Sequence, residues 1–317
     1  MRALALLSLF FALALAGCGS DRDEAVGDDS GTTAQSDLSG TVEADGSSTV
    51  GPYATAAAER FQQANPDVRV TVGVSGTGGG FERFCAGETD LSNASRPIDD
   101  DEKAICEQNG VEYVEFHIAN DALTVVANTE NDWATCLTVE QLKQIWDQGS
   151  RVKNWNQVDP EFPDQPLKLY GPGTDSGTFD YFTAEINGEE GQSRSDYSAT
   201  EDDNVIVQGV SGDTGALGYF GLSYFTENEG TLKALEVDGG NGCVAPSVET
   251  AQNGEYTPLS RPLFIYAKTE SLARPEVGAF IGFILDNETE IAEAAQFVPL
   301  TDEQLEKARS DFEGATG

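Results

Sequence analysis

Strand patterns and helix patterns alternate along this chain, and the alternation limits the folds open to it. Apolar residues recur every three or four positions from Val50 to Phe61, which predicts one face of a helix that ends at Asn65-Pro66. Residues 68–74 then alternate apolar and polar side chains, as a strand does. The same order recurs further along the chain. Repeated strand, helix and strand units predict an α/β fold in which helices cover a largely parallel sheet.

Two strongly apolar strand patterns, at residues 123–128 and 263–268, bracket the middle of the chain. We predict that the chain crosses into a second domain at the first strand and returns at the second. Lobe 1 then comprises residues 40–122 plus 269–317, and lobe 2 comprises residues 123–268 with both hinge strands. A ligand is expected in the cleft between the lobes, because domain interfaces are common binding sites.

The first 17 residues are predicted to be a lipoprotein signal peptide. Arg2 precedes an apolar run of 14 residues, 3–16, which is too short for a permanent membrane span. The small residues before Cys18 resemble the bacterial lipobox, and this resemblance implies cleavage before Cys18 and lipid attachment to it. The alternative is an ordinary cleaved signal followed by a chance cysteine.

Residues 18–39 are rich in serine, glycine, threonine and aspartate and hold almost no large apolar side chains. Such a segment cannot bury enough surface to offset its ordering entropy, so a flexible acidic tether is predicted. Together with the signal, the tether predicts an extracytoplasmic protein, in the periplasm or on the outer face of the cell membrane. Its contact with the membrane is expected through the lipid anchor only.

Four cysteines follow Cys18 in the sequence, and an even number outside the cytoplasm predicts two disulfides. Of the three possible pairings, Cys85–Cys106 with Cys136–Cys243 is favoured, because each bond then lies inside one lobe. A zinc site made of all four cysteines is the alternative. The absence of any CxxC pair argues against it, and no other metal site is predicted.

The formal net charge of −37 excludes several classes of partner. A field of this sign repels nucleic acid and anionic lipid head groups, so no nucleic-acid partner is predicted. It also repels small anions at long range. However, salt at ~0.1 M screens exposed charges beyond about 10 Å, and fixed backbone dipoles can bind an anion whatever the net charge.

Three segments share a small, hydroxyl-rich, glycine-containing turn that leads into a predicted helix: Gly46–Val50, Ser75–Phe81 and Gly173–Phe179. Each turn offers free backbone N–H groups at a helix start, hydroxyl donors, and glycines that permit close approach. Any one turn alone is better explained as a helix cap. Three such turns on both sides of a predicted hinge favour an oxyanion site.

A fourth segment, Ala94–Ile98, follows a predicted strand and contains Ser95 and Arg96. The planar guanidinium of an arginine matches two oxygens of an oxyanion. The alternative is a surface ion pair, which so acidic a chain makes easy. Contact with a ligand is preferred here, because the end of the strand is expected to face the cleft.

Six segments together carry a resemblance to a known family: GSSTV, SGTGGGF, GETDLSNASRPI, LYGPGTDSGTFDYF, EDDNVIVQGV and GALGYF. In this order they resemble the periplasmic phosphate-binding proteins of high-affinity phosphate ABC importers, over most of residues 40–300. The resemblance implies a two-lobe, class II periplasmic-binding-protein fold that closes on inorganic phosphate. It further implies ABC permease subunits as partners, no cofactor and no catalytic residue, and we expect a monomer.

The resemblance also implies a set of binding residues by position. The predicted phosphate-binding residues are Ser48, Thr49, Val50, Thr77, Ser95, Arg96, Asp175, Ser176, Gly177 and Thr178, with Ser75 as an alternative to Thr77. The family pattern has an aspartate near Ser95 and an arginine where this chain has Pro172. Arg96 is then the candidate replacement for that arginine, and Asp175 and Asp121 are candidate acceptors for the phosphate proton.

Other functions stay open at this point. The same fold could bind sulfate, molybdate or tungstate, and a surface sensor or adhesin would need no importer. A phosphate-ester hydrolase is the alternative from another class. The single histidine, His117, excludes a His-rich metal site, and no GxSxG motif is present, although a site made of carboxylates is not excluded. His117 is predicted to be structural, and Asp202-Asp203-Asn204 is predicted to cap a helix.

Overall fold

The computed structural model describes residues 38–174 and 176–317. The predicted signal peptide, the lipid attachment site Cys18 and nearly all of the predicted tether lie outside these residues. Asp175, one of the predicted binding residues, also lies outside them.

Strands in the described part of the chain form one large mixed sheet and one small sheet. They are β1 (Gly40–Gly46), β2 (Val68–Val72), β3 (Leu91–Ala94), β4 (Tyr113–Asn128), β5 (Cys136–Thr138), β6 (Lys168–Gly171), β7 (Ser198–Ala199), β8 (Ala216–Gly221), β9 (Leu232–Ala234), β10 (Glu236–Asp238), β11 (Cys243–Val244) and β12 (Ser260–Lys268). The large sheet has the order β2-β1-β3-β12-β4-β8-β6-β7, with β9 also paired to β4, and the small sheet has the order β11-β10-β5.

Strand pairing in the large sheet is parallel toward its two ends and antiparallel in its centre. Strand β1 is parallel to β2 and β3, and β6 is parallel to β7 and β8. Strand β4 is antiparallel to β12 and β8. The predicted α/β class is confirmed, and the parallel ends carry the strand–helix–strand rhythm seen in the sequence.

The long strand β4 begins ten residues before the predicted strand at 123–128 and runs through two polar residues, Asn120 and Asp121. In the structure, backbone groups of Asn120 exchange two hydrogen bonds of 2.8 Å with Val298, and Asp121 pairs across the sheet with Arg261. Because both polar residues find partners, the strand continues without interruption.

Helices cover the sheets and also form the C-terminal part of the chain. They are α1 (Gly51–Ala64), α2 (Gly76–Cys85), α3 (Asp100–Gln108), α4 (Val139–Trp146), α5 (Gly177–Phe182), α6 (Asp203–Ser211), α7 (Leu222–Glu227), α8 (Val248–Gln252), α9 (Thr269–Leu272), α10 (Pro275–Asp286), α11 (Glu288–Ala294) and α12 (Asp302–Thr316), with a 3-10 turn at Trp155–Gln157 and a π-helical turn at Thr183–Asn187 after α5. No helix among the described residues is both long and apolar enough to cross a bilayer.

The two largest apolar clusters of the described residues lie at the two ends of the large sheet and form its two main cores. The first core is the cluster that contains Val42, Phe61 and Phe280, and the second core is the cluster that contains Trp146 and Tyr219. Burial of these side chains is the main favourable term in each cluster.

Two chain segments connect the cores. Strand β4 places Phe116 in the first core and Val125, which is fully buried, in the second. On the return, Leu259 packs in the second core and Leu263 in the first. The predicted residue bounds of the lobes stay a prediction, but the segments that join the cores are β4 and the start of β12.

Both favoured disulfide pairings are confirmed. Cys85 of α2 is bonded to Cys106 of α3, and Cys136 of β5 is bonded to Cys243 of β11. With the four sulfurs paired in this way, the alternative of a four-cysteine zinc site is wrong.

Candidate functional site

The starts of helices α1 and α2 lie close together because two glycines let α2 approach β1. A Cβ built on Gly80 of α2 would lie 2.5 Å from the Cα of Gly46, the last residue of β1. Gly46 itself has φ of 142°, a region that side-chain-bearing residues rarely adopt. The turn after β1 and the turn that begins α2 therefore face the same space.

Hydroxyl groups from these turns meet the end of strand β3. The Oγ atoms of Thr77 and Ser95 are 3.1 Å apart, and the Ser95 N–H donates to Thr77 Oγ1 at 3.3 Å. Thr49 Oγ1 accepts a hydrogen bond of 2.9 Å from Arg261 Nη2. Three segments far apart in sequence thus contribute neutral donors to one wall.

A cavity of about 470 Å³ opens in front of this wall. It brings together five of the predicted binding residues: Ser48, Thr49, Thr77, Ser95 and Arg96. The opposite wall comes from α5 and the segment after it, through Asp180, Tyr181, Glu185 and Glu190. Ser75, the predicted alternative to Thr77, also lines this larger cavity.

A smaller cavity, of about 160 Å³, lies on the other side of Thr49. Ser48 and Thr49 line it as well, together with Gly177, Thr178 and the carboxylates of Asp121 and Asp203. A Cβ built on Gly177 would lie 3.5 Å from Thr49 Oγ1. The turn that begins α5 therefore meets Thr49, which is shared by both cavities.

Two other predicted binding residues, Val50 and Ser176, line neither cavity. Val50 is completely buried in the first core, and its backbone N–H donates to Ser47 Oγ over 3.4 Å. Ser176 caps α5, because its Oγ accepts a hydrogen bond of 3.2 Å from the Thr178 N–H. Its hydroxyl is therefore engaged in capping the helix.

Arg96 lines the larger cavity but is also ion-paired. Its Nη1 and Nη2 each donate to a different oxygen of Glu102 at 2.8 Å, and Nη1 also donates to the Pro97 carbonyl. The side chain is 42% exposed. The hydrogen bond with Glu102 raises the pKa of Arg96. The ion pair, which was the alternative interpretation from the sequence, is therefore present, and the preferred contact with a ligand stays a prediction.

Arg261 lines the same cavity and was not predicted. It stands directly opposite Asp121 in the β4–β12 pairing, and its Nε and Nη2 both donate to Asp121 Oδ2 at 3.2 Å. The predicted hinge strand began at Leu263, so Arg261 fell just outside it. The sequence feature that could have identified Arg261 is a basic residue, rare in this acidic chain, just before a predicted hinge strand.

Burial raises the pKa of four carboxyl groups that line the two cavities. It raises the pKa of Asp121, although the neighbouring Arg261 guanidinium opposes the shift. Burial raises the pKa of Asp180 and of Glu185 in the larger cavity. It raises the pKa of Asp203 to about 6, with further contributions from Asp202 and Glu201. The common cause is desolvation, which disfavours the charged form of each carboxyl group.

The chemistry of this arrangement is that of binding. Hydroxyls, helix-start N–H groups and guanidinium groups are donors that suit a tetrahedral oxyanion. No histidine lines either cavity among the described residues. His117 instead lies on β4, where its Nε2 is 3.1 Å from Asn120 Oδ1 and burial lowers its pKa. The predicted structural role for His117 agrees with this position.

Comparisons with known proteins point in the same direction. A family profile described as a PBP superfamily domain matches residues 31–288. Protein SphX of Synechococcus elongatus is 50% identical over 262 residues, covering 82% of this chain and 77% of that protein. The phosphate-binding protein PstS of Staphylococcus saprophyticus is 40% identical over 280 residues, covering 88% of this chain and 86% of that protein. A crystal structure described as a possible phosphate binding protein from Planctomyces limnophilus superposes with a TM-score of 0.86 at 47% identity, covering 88% of this chain and 100% of that one.

Proposed function

The chain belongs to the PBP superfamily and, within it, to the phosphate-binding proteins, and from this membership we propose that it captures inorganic phosphate between its two lobes for delivery to an ABC importer. The expected two-lobe α/β fold of this superfamily is confirmed. Members of the family are substrate-binding transport proteins, which are not enzymes. ABC permease subunits are the partners that this function requires.

One observation supports phosphate capture most strongly, namely the convergence of donors from three separate segments at Thr49. The turn after β1, beside the first core, and the turn that begins α2 supply donors, and the turn at Gly177, which leads into the second core, approaches Thr49. We propose that the oxyanion binds beside Thr49. Its proposed contacts are Ser48, Thr49, Val50, Thr77, Ser95, Arg96, Asp175, Ser176, Gly177 and Thr178.

Capture is expected to favour a closed arrangement of the lobes. A ligand that contacts both walls binds the closed state more strongly than the open one, so it shifts the population toward closure. One wall of the larger cavity comes from the hydroxyl-rich turns, and the opposite wall comes from α5 and the segment after it. A ligand in this cavity would therefore contact both walls, as closure requires. A closed protein with phosphate is the form that we propose is presented to the permease.

The remaining proposals concern the location of the protein. We propose that Cys18 carries a lipid after cleavage of residues 1–17 and that residues 18–39 tether the binding domain to the membrane. The protein then acts outside the cytoplasm as a monomer.

Calorimetric titration of the purified protein with phosphate and with sulfate tests the ligand. Binding of phosphate with little heat from sulfate, at about pH 6 and about pH 8, is the expected result. Stronger binding of sulfate would assign the site to another oxyanion. Incubation with a chromogenic phosphate ester provides the second arm, in which turnover would assign the protein to the hydrolases instead.

A further inference from the structure

Arg261 and Arg96, the two cations among the described residues that line the cleft, belong to different kinds of chain segment. Arg261 belongs to the start of β12, one of the two segments that join the cores, whereas Arg96 belongs to a loop after β3. Its side chain is 19% exposed, against 42% for Arg96. Among the described residues that line the two cavities, Arg96 and Arg261 are the cations.

Arg261 contacts three elements around the cleft, namely the start of α1, strand β4 and helix α5. Its Nη2 donates to Thr49 Oγ1 at the start of α1, and its Nε and Nη2 donate to Asp121 on β4. The guanidinium carbon lies 3.5 Å from the ring centroid of Tyr181 in α5, a stacked cation–π contact. Tyr181 is itself fixed, because its hydroxyl donates to the Pro258 carbonyl at 2.8 Å.

These contacts leave one edge of the guanidinium available. An arginine side chain has five N–H donors, of which the two on Nη1 are free here, since no described residue accepts a hydrogen bond from Nη1. The guanidinium of Arg96 differs, because Glu102 already occupies both of its Nη groups. A ligand at Thr49 would find an unused donor pair on Arg261 and a committed one on Arg96.

We infer that Arg261 is the guanidinium that binds the oxyanion directly and that Asp121 is the positioning residue that orients it. This inference rests on the proposed oxyanion capture. It also supplies a link between the ligand and closure of the lobes. A ligand on Nη1 is held by a side chain that contacts Thr49 from the first core and Tyr181 from the second.

The same contacts explain why a carboxylate can be buried beside an anion site. An unpaired charge at Asp121 would repel the ligand and would cost several kcal/mol to bury. Paired with Arg261, it instead fixes the plane of the guanidinium and leaves Nη1 pointing away from the pair. A planar fork held in place in advance loses less conformational freedom when a ligand binds.

Titration of matched variants with inorganic phosphate tests this assignment. We expect Arg261→Gln to raise the dissociation constant at least about 100-fold, and Arg96→Gln to raise it less than about 10-fold. Arg261→Lys keeps the charge but not the fork, so an intermediate loss is expected. Asp121→Asn is expected to weaken phosphate binding and to change its pH dependence, which a purely structural role would not do. A larger loss for Arg96→Gln than for Arg261→Gln would overturn the inference.

Chemical modification of the unmutated protein provides a measurement that does not depend on how the variants fold. Phenylglyoxal labels accessible guanidinium groups, and mass spectrometry locates the label. Phosphate is expected to protect Arg261 from labelling much more strongly than Arg96. Equal labelling of Arg261 with and without phosphate, in a protein that binds phosphate by calorimetry, would contradict the assignment.

Failure of the proposed function gives a different pattern. If the unmutated protein binds sulfate and not phosphate, the proposed phosphate capture fails, and the same variants titrated with sulfate still decide the role of Arg261. If it binds neither anion, both the function and the inference fall.

Discussion

Two hydroxyl side chains at the start of α5 are expected to differ in how much they contribute to ligand affinity and to stability. The Thr178 hydroxyl has no hydrogen-bond partner among the described residues and lines the smaller cavity, whereas the neighbouring Ser176 hydroxyl caps the helix. Of these two hydroxyls in one turn, that of Ser176 already holds the helix start, and that of Thr178 is left for the ligand. The sequence alone could not distinguish them, because a small hydroxyl residue suits a cap and an anion site equally well.

Replacing Thr178 by valine keeps the shape of the side chain and removes only its hydroxyl. We expect phosphate affinity to fall about tenfold, the effect of losing one hydrogen bond to a charged ligand, and stability to change by less than about 0.5 kcal/mol. Ser176→Ala is the comparison, and loss of its cap should cost about 1 kcal/mol of stability. Calorimetry and urea unfolding measure the two quantities. A Thr178→Val protein that unfolds more easily than Ser176→Ala would make Thr178 a structural residue.

Asp203 is predicted to make the stability of the protein depend on pH. Because its pKa rises from 3.8 to about 6 on folding, the folded protein keeps a proton that the unfolded chain has already lost. This stabilising contribution is complete below about pH 4 and is lost as the pH rises through about 6. Asp203→Asn should therefore stabilise the protein by about 1–2 kcal/mol at pH ~7.5, after allowance for solvent screening, and change little at pH ~4.5.

Urea unfolding at the two pH values measures this difference. Asp202→Asn is the matched control, since Asp202 is exposed and caps α6 through a 3.0 Å hydrogen bond from the Asn204 N–H, which asparagine can also accept. Because the Asp202 charge causes only part of the rise in the pKa of Asp203, this variant should show a smaller pH-dependent gain than Asp203→Asn. An Asp203→Asn protein that is no more stable than the original at pH ~7.5 would show that burial of the ionised carboxylate does not destabilise the fold.

At the scale of elements, the close approach of α2 to β1 positions the binding loops. Gly80 meets Gly46 of β1, while a Cβ built on Gly78, two residues nearer the start of α2, would have no atom nearer than 3.9 Å. Helix α2 therefore has one face that requires glycine and one that does not.

Alanine at these two positions is expected to act in opposite directions. Gly80→Ala would push α2 away from β1, costing about 1–3 kcal/mol of stability and weakening phosphate binding, because Thr77 moves away from Thr49. Gly78→Ala should raise stability by up to about 1 kcal/mol, since alanine favours the helix. Thermal unfolding and phosphate titration of both variants measure these effects. Equal stability of the two proteins would show that the helix can slide without cost.

Regular elements of this fold were predictable because their signals are local. The periodicity from Val50 to Phe61 predicted α1, and the apolar run at 263–268 predicted most of β12. The hydroxyl-rich turns were also found, because glycine and hydroxyl residues before a helix are visible in sequence. The partnership of Arg261 with Asp121 was not predictable in this way. It depends on strand register between residues 140 positions apart, which no local pattern encodes.

For the molecule as a whole, two features of the charge distribution oppose each other. The formal net charge is −37, and Asp180, Glu185 and Glu190 line the larger cavity, yet the same cavity contains two guanidinium groups and neutral donors. Long-range repulsion of phosphate acts during the approach of the ligand, where solvent and salt screen it. Contacts inside the cleft act after arrival and are screened much less. Salt should therefore affect the association rate more than the dissociation rate.

We predict that phosphate associates faster as sodium chloride rises from about 0.02 to about 0.3 M, by roughly threefold to tenfold. This is the reverse of the behaviour of a cleft whose protein attracts its ligand, because here salt screens a repulsion. The dissociation rate should change by less than about twofold, since the bound anion is held by buried contacts. Stopped-flow fluorescence of the purified protein measures both rates, and the same titration in a neutral osmolyte controls for viscosity and water activity. An association rate that falls with salt would mean that the local field of Arg96 and Arg261 dominates the approach of the ligand over the acidic surface around them.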